Sequence, residues 1–157
     1  MKKIDNKNYV ILVVLLAGTI FLTLLLSTLY NARENLVSRI YETSNKITVS
    51  EFEQFMIENS DSIIYISDKY DLSHGTLEEK LQKELNEFNL AEKFVFLDKS
   101  EIDNKFIKTL KNKYGININL DKYPILISIT DKENIKIIYI DDNKNINKFI
   151  DYEVFEW

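Results

Sequence analysis

Cysteine is absent from this chain of 157 residues, and glycine, proline and histidine are scarce. Without cysteine the chain has no disulfide, no thiolate nucleophile, no thiolate metal ligand and no lipid-modified N-terminus of the lipoprotein kind. Its three glycines, Gly18, Gly75 and Gly115, lie too far apart for a phosphate-binding loop. The single histidine, His74, leaves too few ligands for catalytic zinc. We therefore expect no cofactor and no metal.

Charge is absent between Lys7 and Arg33, where most residues are Leu, Ile, Val, Phe or Thr. Roughly 20 apolar residues in a helix cross the hydrocarbon core of a bilayer, so residues 9–30 are predicted to span it. A cleaved signal peptide is the alternative, but its apolar region is normally about 7 to 15 residues long and ends at small side chains. Here the apolar run ends at the bulky Tyr30 instead of at small side chains. The sequence favours an uncleaved signal anchor.

The charges on either side of the span predict its orientation. Three lysines and one acid precede it, whereas Arg33 and Arg39 on the other side are offset by two glutamates. Because positive residues are retained on the cytoplasmic side, residues 1–8 are predicted to be cytoplasmic. The protein is then a single-pass protein of the cell membrane with an extracytoplasmic C-terminal domain. Abundant Ile, Lys and Asn indicate an AT-rich bacterial genome.

Acidic residues outnumber basic ones in the part of the chain beyond the span. Three of the 20 basic and one of the 25 acidic residues precede it, which leaves 17 basic against 24 acidic residues, a net charge of −7. Such a surface does not hold nucleic acid or anionic head groups by general electrostatics. Basic polypeptides are better suited partners, although solubility alone also explains an acidic surface.

Apolar periodicity beyond residue 46 alternates between helical and strand patterns. Capping residues mark helix starts at Ser50 and Thr76, and Asp103 begins a third helix that Gly115 ends. β-Branched and aromatic runs mark four strands, of which the last two flank a hairpin turn at residues 131–134. The predicted strands are residues 63–66, 94–97, 125–130 and 135–140, and the last helix is residues 145–152.

This order of elements predicts an α/β domain over residues 47–157, with a four-stranded mixed sheet flanked by helices. Strand–helix–strand units with right-handed crossovers make part of the sheet parallel, and the final hairpin adds antiparallel strands. Residues 31–46 carry Leu36, Val37 and Ile40 at helical spacing. They are predicted to continue the transmembrane helix as a juxtamembrane stalk.

Three short motifs follow one another in the domain: Ser50-Glu51-Phe52, Ile63-Ile64-Tyr65-Ile66 and Tyr123-Pro124-Ile125-Leu126. With them, residues 47–157 resemble the thioredoxin-like superfamily, in particular membrane-anchored bacterial domains similar to bacteriocin-transport accessory proteins. The resemblance implies a thioredoxin-like sheet in which Pro124 follows a cis peptide bond and faces the active-site loop. An ordinary proline at the start of a strand is the alternative.

In that family two cysteines separated by two residues open the helix after the first strand. The resemblance puts this motif at Asp71-Leu72-Ser73-His74, so that Asp71 replaces the nucleophilic cysteine and His74 the resolving one. The redox activity of the family is therefore lost. A serine nucleophile is also disfavoured, because Ser73 directly adjoins His74, where side chains seldom meet productively. We expect the chain not to be an enzyme.

The predicted function is noncovalent binding of a polypeptide by a membrane-tethered, redox-inactive domain. In the family that the chain resembles, the segment before the cis proline pairs with substrate backbone, which is a form of strand addition. The resemblance also implies the setting, an accessory to peptide export or to an envelope complex. One wall of the predicted site is Tyr70, Asp71, Ser73 and His74, and the other is Lys122, Tyr123 and Pro124.

The alternative function is that of a structural bitopic subunit whose partner is another membrane protein. Such a subunit acts through its anchor and stalk rather than through the loops of the domain. That hypothesis puts the important contacts at Leu36 and Ile40 or at the C-terminal aromatic residues Tyr152, Phe155 and Trp157.

Overall fold

The computed structural model describes residues 6–34, 36–130, 134–141 and 143–155, which belong to two compact units. The first unit, Met1–Leu36, contains the helix α1 (Asn6–Glu34). Its segment Tyr9–Tyr30 has a mean hydropathy of 2.8 and is long and apolar enough to cross a membrane. The hydroxyls of Thr19 and Thr23 donate to backbone carbonyls one turn back, which satisfies them inside an apolar helix.

The second unit, Val37–Trp157, alternates helices and strands. A 3₁₀ turn, Leu72–His74, directly precedes the helix Gly75–Glu87. The helices are α2 (Arg39–Thr43), α3 (Phe52–Glu58), α4 (Gly75–Glu87), α5 (Asn104–Tyr114) and α6 (Asn143–Phe155). The strands are β1 (Asn45–Ile47), β2 (Ser62–Ser67), β3 (Phe94–Asp98), β4 (Ile125–Thr130) and β5 (Asn134–Tyr139).

The strands form one mixed sheet in the order β1-β3-β2-β4-β5. β1, β3 and β2 are parallel, whereas β4 runs antiparallel to β2 and β5 runs antiparallel to β4. The prediction of a mixed α/β sheet is confirmed, but the sheet has five strands rather than four. The additional strand, β1, begins with Asn45 and Lys46 and has no β-branched run, so its pairing with β3 is what makes it a strand.

Residues 31–46 do not continue α1 as one helical stalk. α1 ends at Glu34, residues 36–38 are not helical, and α2 is a separate short helix. The Ser38 hydroxyl accepts a hydrogen bond from the Tyr41 N–H (3.2 Å) and caps α2, while Ile40 is buried in the core. Apolar spacing alone does not distinguish a helix that continues from one that restarts against a core.

The capping pattern predicted at Ser50 lies two residues earlier in the chain, at Thr48. The carboxylate that reaches back is Glu51, which accepts from the Thr48 N–H (2.9 Å) and the Thr48 hydroxyl (2.8 Å). α3 accordingly begins at Phe52. α4 begins at Gly75, one residue before the predicted start.

The C-terminal part of the domain has the predicted order of elements. β4 and β5 pair antiparallel, from Ile125 opposite Tyr139 to Thr130 opposite Asn134. The last helix, α6, is longer than the predicted residues 145–152. The hairpin residues 131–133 and the side chains of Tyr152, Phe155 and Trp157 lie outside the part of the chain that is described.

Helices cover both faces of the sheet. Successive side chains of its central strand point to opposite faces, so the strand contributes to a core on each side. On β2, Ile63 and Tyr65 belong to a core formed with α2, α4 and α6, whereas Ile64 and Ile66 belong to a core formed with α3 and α5. Burying a large apolar side chain contributes about 1.5–3 kcal/mol. These two cores hold the ends of β2 and its neighbours in fixed positions.

Candidate functional site

Three loops meet at one edge of the sheet. The parallel strands β2 and β3 both end there, and the antiparallel strand β4 begins there, since Ile66 of β2 pairs with Ile125 of β4. The loops are residues 68–74 after β2, residues 99–103 after β3 and residues 115–124 before β4. The order of the strands therefore brings together the two walls predicted from the sequence.

Aspartate side chains shape the loop after β2. The Tyr70 N–H donates to Asp68 Oδ1 (2.9 Å), and the Ser73 N–H donates to Asp71 Oδ1 (2.9 Å). Aspartate favours such turns because its carboxylate accepts from the backbone two residues ahead. Asp71 thereby caps the 3₁₀ turn that leads into α4.

The loop before β4 is held by Asn119. Its side-chain oxygen accepts from the Asp121 N–H (2.9 Å), and its carbonyl accepts from the Lys122 N–H (3.1 Å). The Tyr123–Pro124 peptide bond is cis, as predicted. Pro124 is buried, and its carbonyl accepts from the backbone N–H of the residue that follows β5 (2.9 Å).

The two loops contact each other through Asp71, His74 and Tyr123, which we call the Asp71 cluster. The Tyr123 hydroxyl donates to Asp71 Oδ2 at 2.8 Å. His74 Nε2 lies 3.5 Å from the same oxygen. The His74 ring meets the Tyr123 ring edge-on, with 5.6 Å between centroids. Three of the seven predicted site residues thus form one connected group.

The third loop adds Lys99, which the sequence analysis did not identify. Its Nζ lies 3.4 Å from the centroid of the Tyr123 ring, a cation–π contact. Lys99 directly follows β3, the parallel neighbour of β2. Residues after the carboxyl ends of adjacent parallel strands meet in space, and this rule could have identified it.

Hydrogen bonding sets the protonation states within the Asp71 cluster. The Ser73 hydrogen bonds, with smaller contributions from Tyr123 and His74, hold the pKa of Asp71 below its usual value despite partial burial. The hydrogen bond to Asp71 is also the main cause of a raised pKa for the Tyr123 hydroxyl. At neutral pH Asp71 is therefore an ionised acceptor and Tyr123 a neutral donor.

Of the four remaining predicted residues, Tyr70, Ser73 and Lys122 lie on the rim of the Asp71 cluster, together with Leu72, whereas Pro124 is buried. Tyr70 is 56% exposed and Leu72 48% exposed, which is unusual for large apolar side chains in the domain. Ser73 and Lys122 are also exposed. The rim thus offers both apolar contact area and hydrogen-bonding groups.

The Asp71 carboxylate takes part in several contacts within the cluster. Both Asp71 oxygens are already occupied, by the Ser73 N–H and by Tyr123 and His74. Within the described residues, no three His, Asp or Glu side chains are grouped so that they could hold a metal ion. Ser67, a second candidate hydroxyl, is fully buried at the end of β2.

A backbone donor and acceptor are left open beside the cluster. Within the described part of the chain, the Tyr123 N–H and C=O take part in no backbone–backbone hydrogen bond, although Lys122 and Pro124 on either side do. Tyr123 is partly exposed and lies two residues before the start of β4. An extended chain could therefore pair with the backbone at this position.

No protein-family model matches this chain, and no curated protein matches it in sequence.

Proposed function

We propose that the second unit is a redox-inactive, thioredoxin-like domain that binds an extended polypeptide noncovalently. Two features that the resemblance implies support this assignment: the cis bond before Pro124 and the contact of Tyr123 with the loop of Asp71 and His74. The observation that carries the proposal is the open backbone of Tyr123, whose side chain contacts the loop that carries the exposed Tyr70 and Leu72.

In this mechanism the bound peptide adds as a short strand next to the segment before β4. Its backbone exchanges hydrogen bonds with the Tyr123 N–H and C=O, and alternate side chains contact Tyr70 and Leu72. The Asp71 cluster keeps the two loops in position before binding, which lowers the entropy lost on association. The acidic surface of the domain favours basic peptides.

The proposed setting is the outer face of a cell membrane. The apolar helix tethers the domain there, as an accessory to peptide export or to an envelope complex. The alternative, a structural subunit that acts through its anchor and stalk, places its contacts at Leu36 and Ile40 or at the C-terminal aromatic residues, and Leu36 is 53% exposed. Ile40 is buried in the core of the domain, so its side chain is not accessible to a partner.

Binding can be tested with the full chain in detergent micelles and a fluorescent peptide of alternating Val and Lys. We expect saturable binding that a Val–Glu peptide does not show. Tyr70→Ser and Leu72→Ser should each weaken binding about tenfold, or 1.4 kcal/mol. Ile57→Ser, at a side chain on α3 that is 68% exposed, is the matched control and should leave binding unchanged.

Strand addition makes a further demand on the peptide itself. N-methylation should abolish binding at the residue whose N–H donates to the Tyr123 carbonyl and be tolerated at the residues on either side, because the N–H groups of those residues face away from Tyr123. Equal effects at all positions, or no binding by either peptide, would contradict the proposed function.

A further inference from the structure

A polar cluster is buried beneath the loop that carries Asp71. Glu78, in the first turn of α4, is 2% exposed, and its Oε1 accepts a hydrogen bond from the Tyr65 hydroxyl at 3.0 Å. Tyr65 lies in the central strand β2 and is itself fully buried. The Ser38 hydroxyl lies beside the same carboxyl group. These residues, Ser38, Tyr65 and Glu78, are called the Glu78 cluster.

Glu78 lacks the partners that an ionised carboxylate needs inside a protein. Its Oε2 is buried without a hydrogen-bond partner, and no lysine, arginine or histidine among the described residues forms an ion pair with it. A buried charge without a counter-charge is costly, so such a group takes up a proton instead. Burial raises the pKa of Glu78, against the hydrogen bonds from Tyr65 and Ser38, and Asp71 raises it further.

The Glu78 cluster also joins the chain next to the anchor to the loop of the candidate site. The Ser38 N–H donates to the Lys69 carbonyl at 2.8 Å, and Lys69 lies in the loop between β2 and Asp71. The Ser38 hydroxyl caps α2 through the Tyr41 N–H. Ser38 therefore contacts both the site loop and the surroundings of Glu78, and it is the first capping residue of the second unit.

We propose that Glu78 is a buried proton-binding group that controls the connection between Ser38 and the site loop. The neutral carboxyl keeps the Glu78 cluster closed and the Ser38–Lys69 hydrogen bond in place. Loss of the proton puts a negative charge below Asp71, which is itself ionised, and draws water into the cluster. The groups that face Glu78 are Tyr65 from β2, Ser38 from the segment before α2 and Asp71 from the site loop.

The consequence is regulation of the proposed binding site by pH. Ionisation of Glu78 loosens the loop of residues 68–71, on which Tyr70 and Asp71 depend for their positions. Peptide binding then weakens as the pH rises. This consequence rests on the proposed function, whereas the behaviour of the Ser38 amide does not.

Amide hydrogen exchange of the full chain in detergent micelles tests the proposal without a peptide. After correction for intrinsic exchange, protection of the Ser38 amide should fall about tenfold or more between about pH 5 and pH 8. Glu78→Gln keeps the size of the side chain and an acceptor for Tyr65, and its Ser38 amide should stay protected throughout. The Ile116 amide, bonded to the Leu110 carbonyl at 3.0 Å, is the internal control and should not change in either protein.

Titration of the Glu78 carboxyl carbon by NMR in the unmodified chain covers the case in which Glu78→Gln fails to fold. The Glu78 carboxyl is expected to stay neutral to a higher pH than an ordinary glutamate, which ionises near pH 4.3, because burial raises its pKa. Ordinary titration, or equal pH dependence of the Ser38 amide in both proteins, would overturn the proposal. If the amide behaves as expected but no peptide binds at any pH, the proposed function fails and the proton-binding group stands.

Discussion

Three acidic side chains near the candidate site are stabilised in three different ways. Asp98 faces the Lys69 ammonium at 2.8 Å, Asp71 accepts hydrogen bonds at both oxygens, and Glu78 has the Tyr65 hydroxyl but no cation among the described residues. The pKa values follow: those of Asp98 and Asp71 are lowered, and that of Glu78 is raised. The identity of an acidic residue thus says little about its charge until its neighbours are known.

Removal of the buried charge at Asp98 should destabilise the domain. Asp98→Asn removes the ion pair with Lys69, and we expect the free energy of unfolding to fall by about 1.5–3 kcal/mol, the range for hydrogen bonds to charged groups. Glu53→Gln is the matched control, because the Glu53–Lys113 pair is equally short (3.0 Å) but half-exposed and should contribute nothing measurable. Urea unfolding of both variants is the measurement.

The pH dependence of the same variant gives an independent check. Burial acts to raise the pKa of Asp98, but the hydrogen bonds from Lys69 and Ser100 together lower it below its usual value. The contribution of Asp98 is therefore present above the ordinary pKa of about 3.9 and lost as the pH falls through the folded-state value. The difference between wild type and Asp98→Asn should shrink in acid, and a constant difference would contradict the role of the charge.

Helix α5 shows an element whose ends are specified by single residues. Asp103 accepts from the Phe106 N–H at 2.7 Å, and Gly115 follows the last turn with φ of +69° while its N–H bonds to the Leu110 carbonyl. Both ends were predicted from the sequence, because a capping aspartate and a glycine in the left-handed conformation act within one turn of the chain.

Two glycines at helix ends should respond to alanine with opposite signs. Gly115→Ala forces a side chain into the left-handed region and should lower the free energy of unfolding by roughly 1–2 kcal/mol. Gly75 lies at the start of α4 in ordinary helical conformation, and at both positions an added Cβ meets nothing within 4 Å. Gly75→Ala should therefore raise the free energy of unfolding by about 0.4–1 kcal/mol. Thermal unfolding of both variants measures this, and a loss of stability at both positions would refute the backbone explanation.

The whole molecule combines an apolar helix with an acidic domain, and its orientation can be tested because the chain has no cysteine of its own. With the domain outside the cell, Glu87→Cys on the exposed side of α4 should react with a membrane-impermeant maleimide in intact cells. Lys3→Cys, before the span, should react only after the cells are permeabilised. The reverse pattern would contradict the orientation predicted from the flanking lysines.

Local signals in the sequence determined most elements of the domain. The apolar run of residues 9–30, the buried strands around Ile64 and Leu126, and the cap at Asp103 all follow from periodicity or from contacts within one turn. The lack of cysteine likewise determined that no thiol chemistry occurs. These properties depend on residues that are close together in the chain, so they can be predicted from the sequence.

Only the tertiary structure decided the features that depend on distant residues. Strand β1 exists because it pairs with β3, and Ile40 is buried because α2 packs on the core rather than continuing α1. Lys99 reaches Tyr123, and Ser38 reaches Lys69 and Glu78, only because the strand order brings separate loops to one edge of the sheet. These contacts join residues that are far apart in the chain. The entropic cost of closing the loop between them depends on its length and not on local residue preferences, so a sequence pattern does not reveal them.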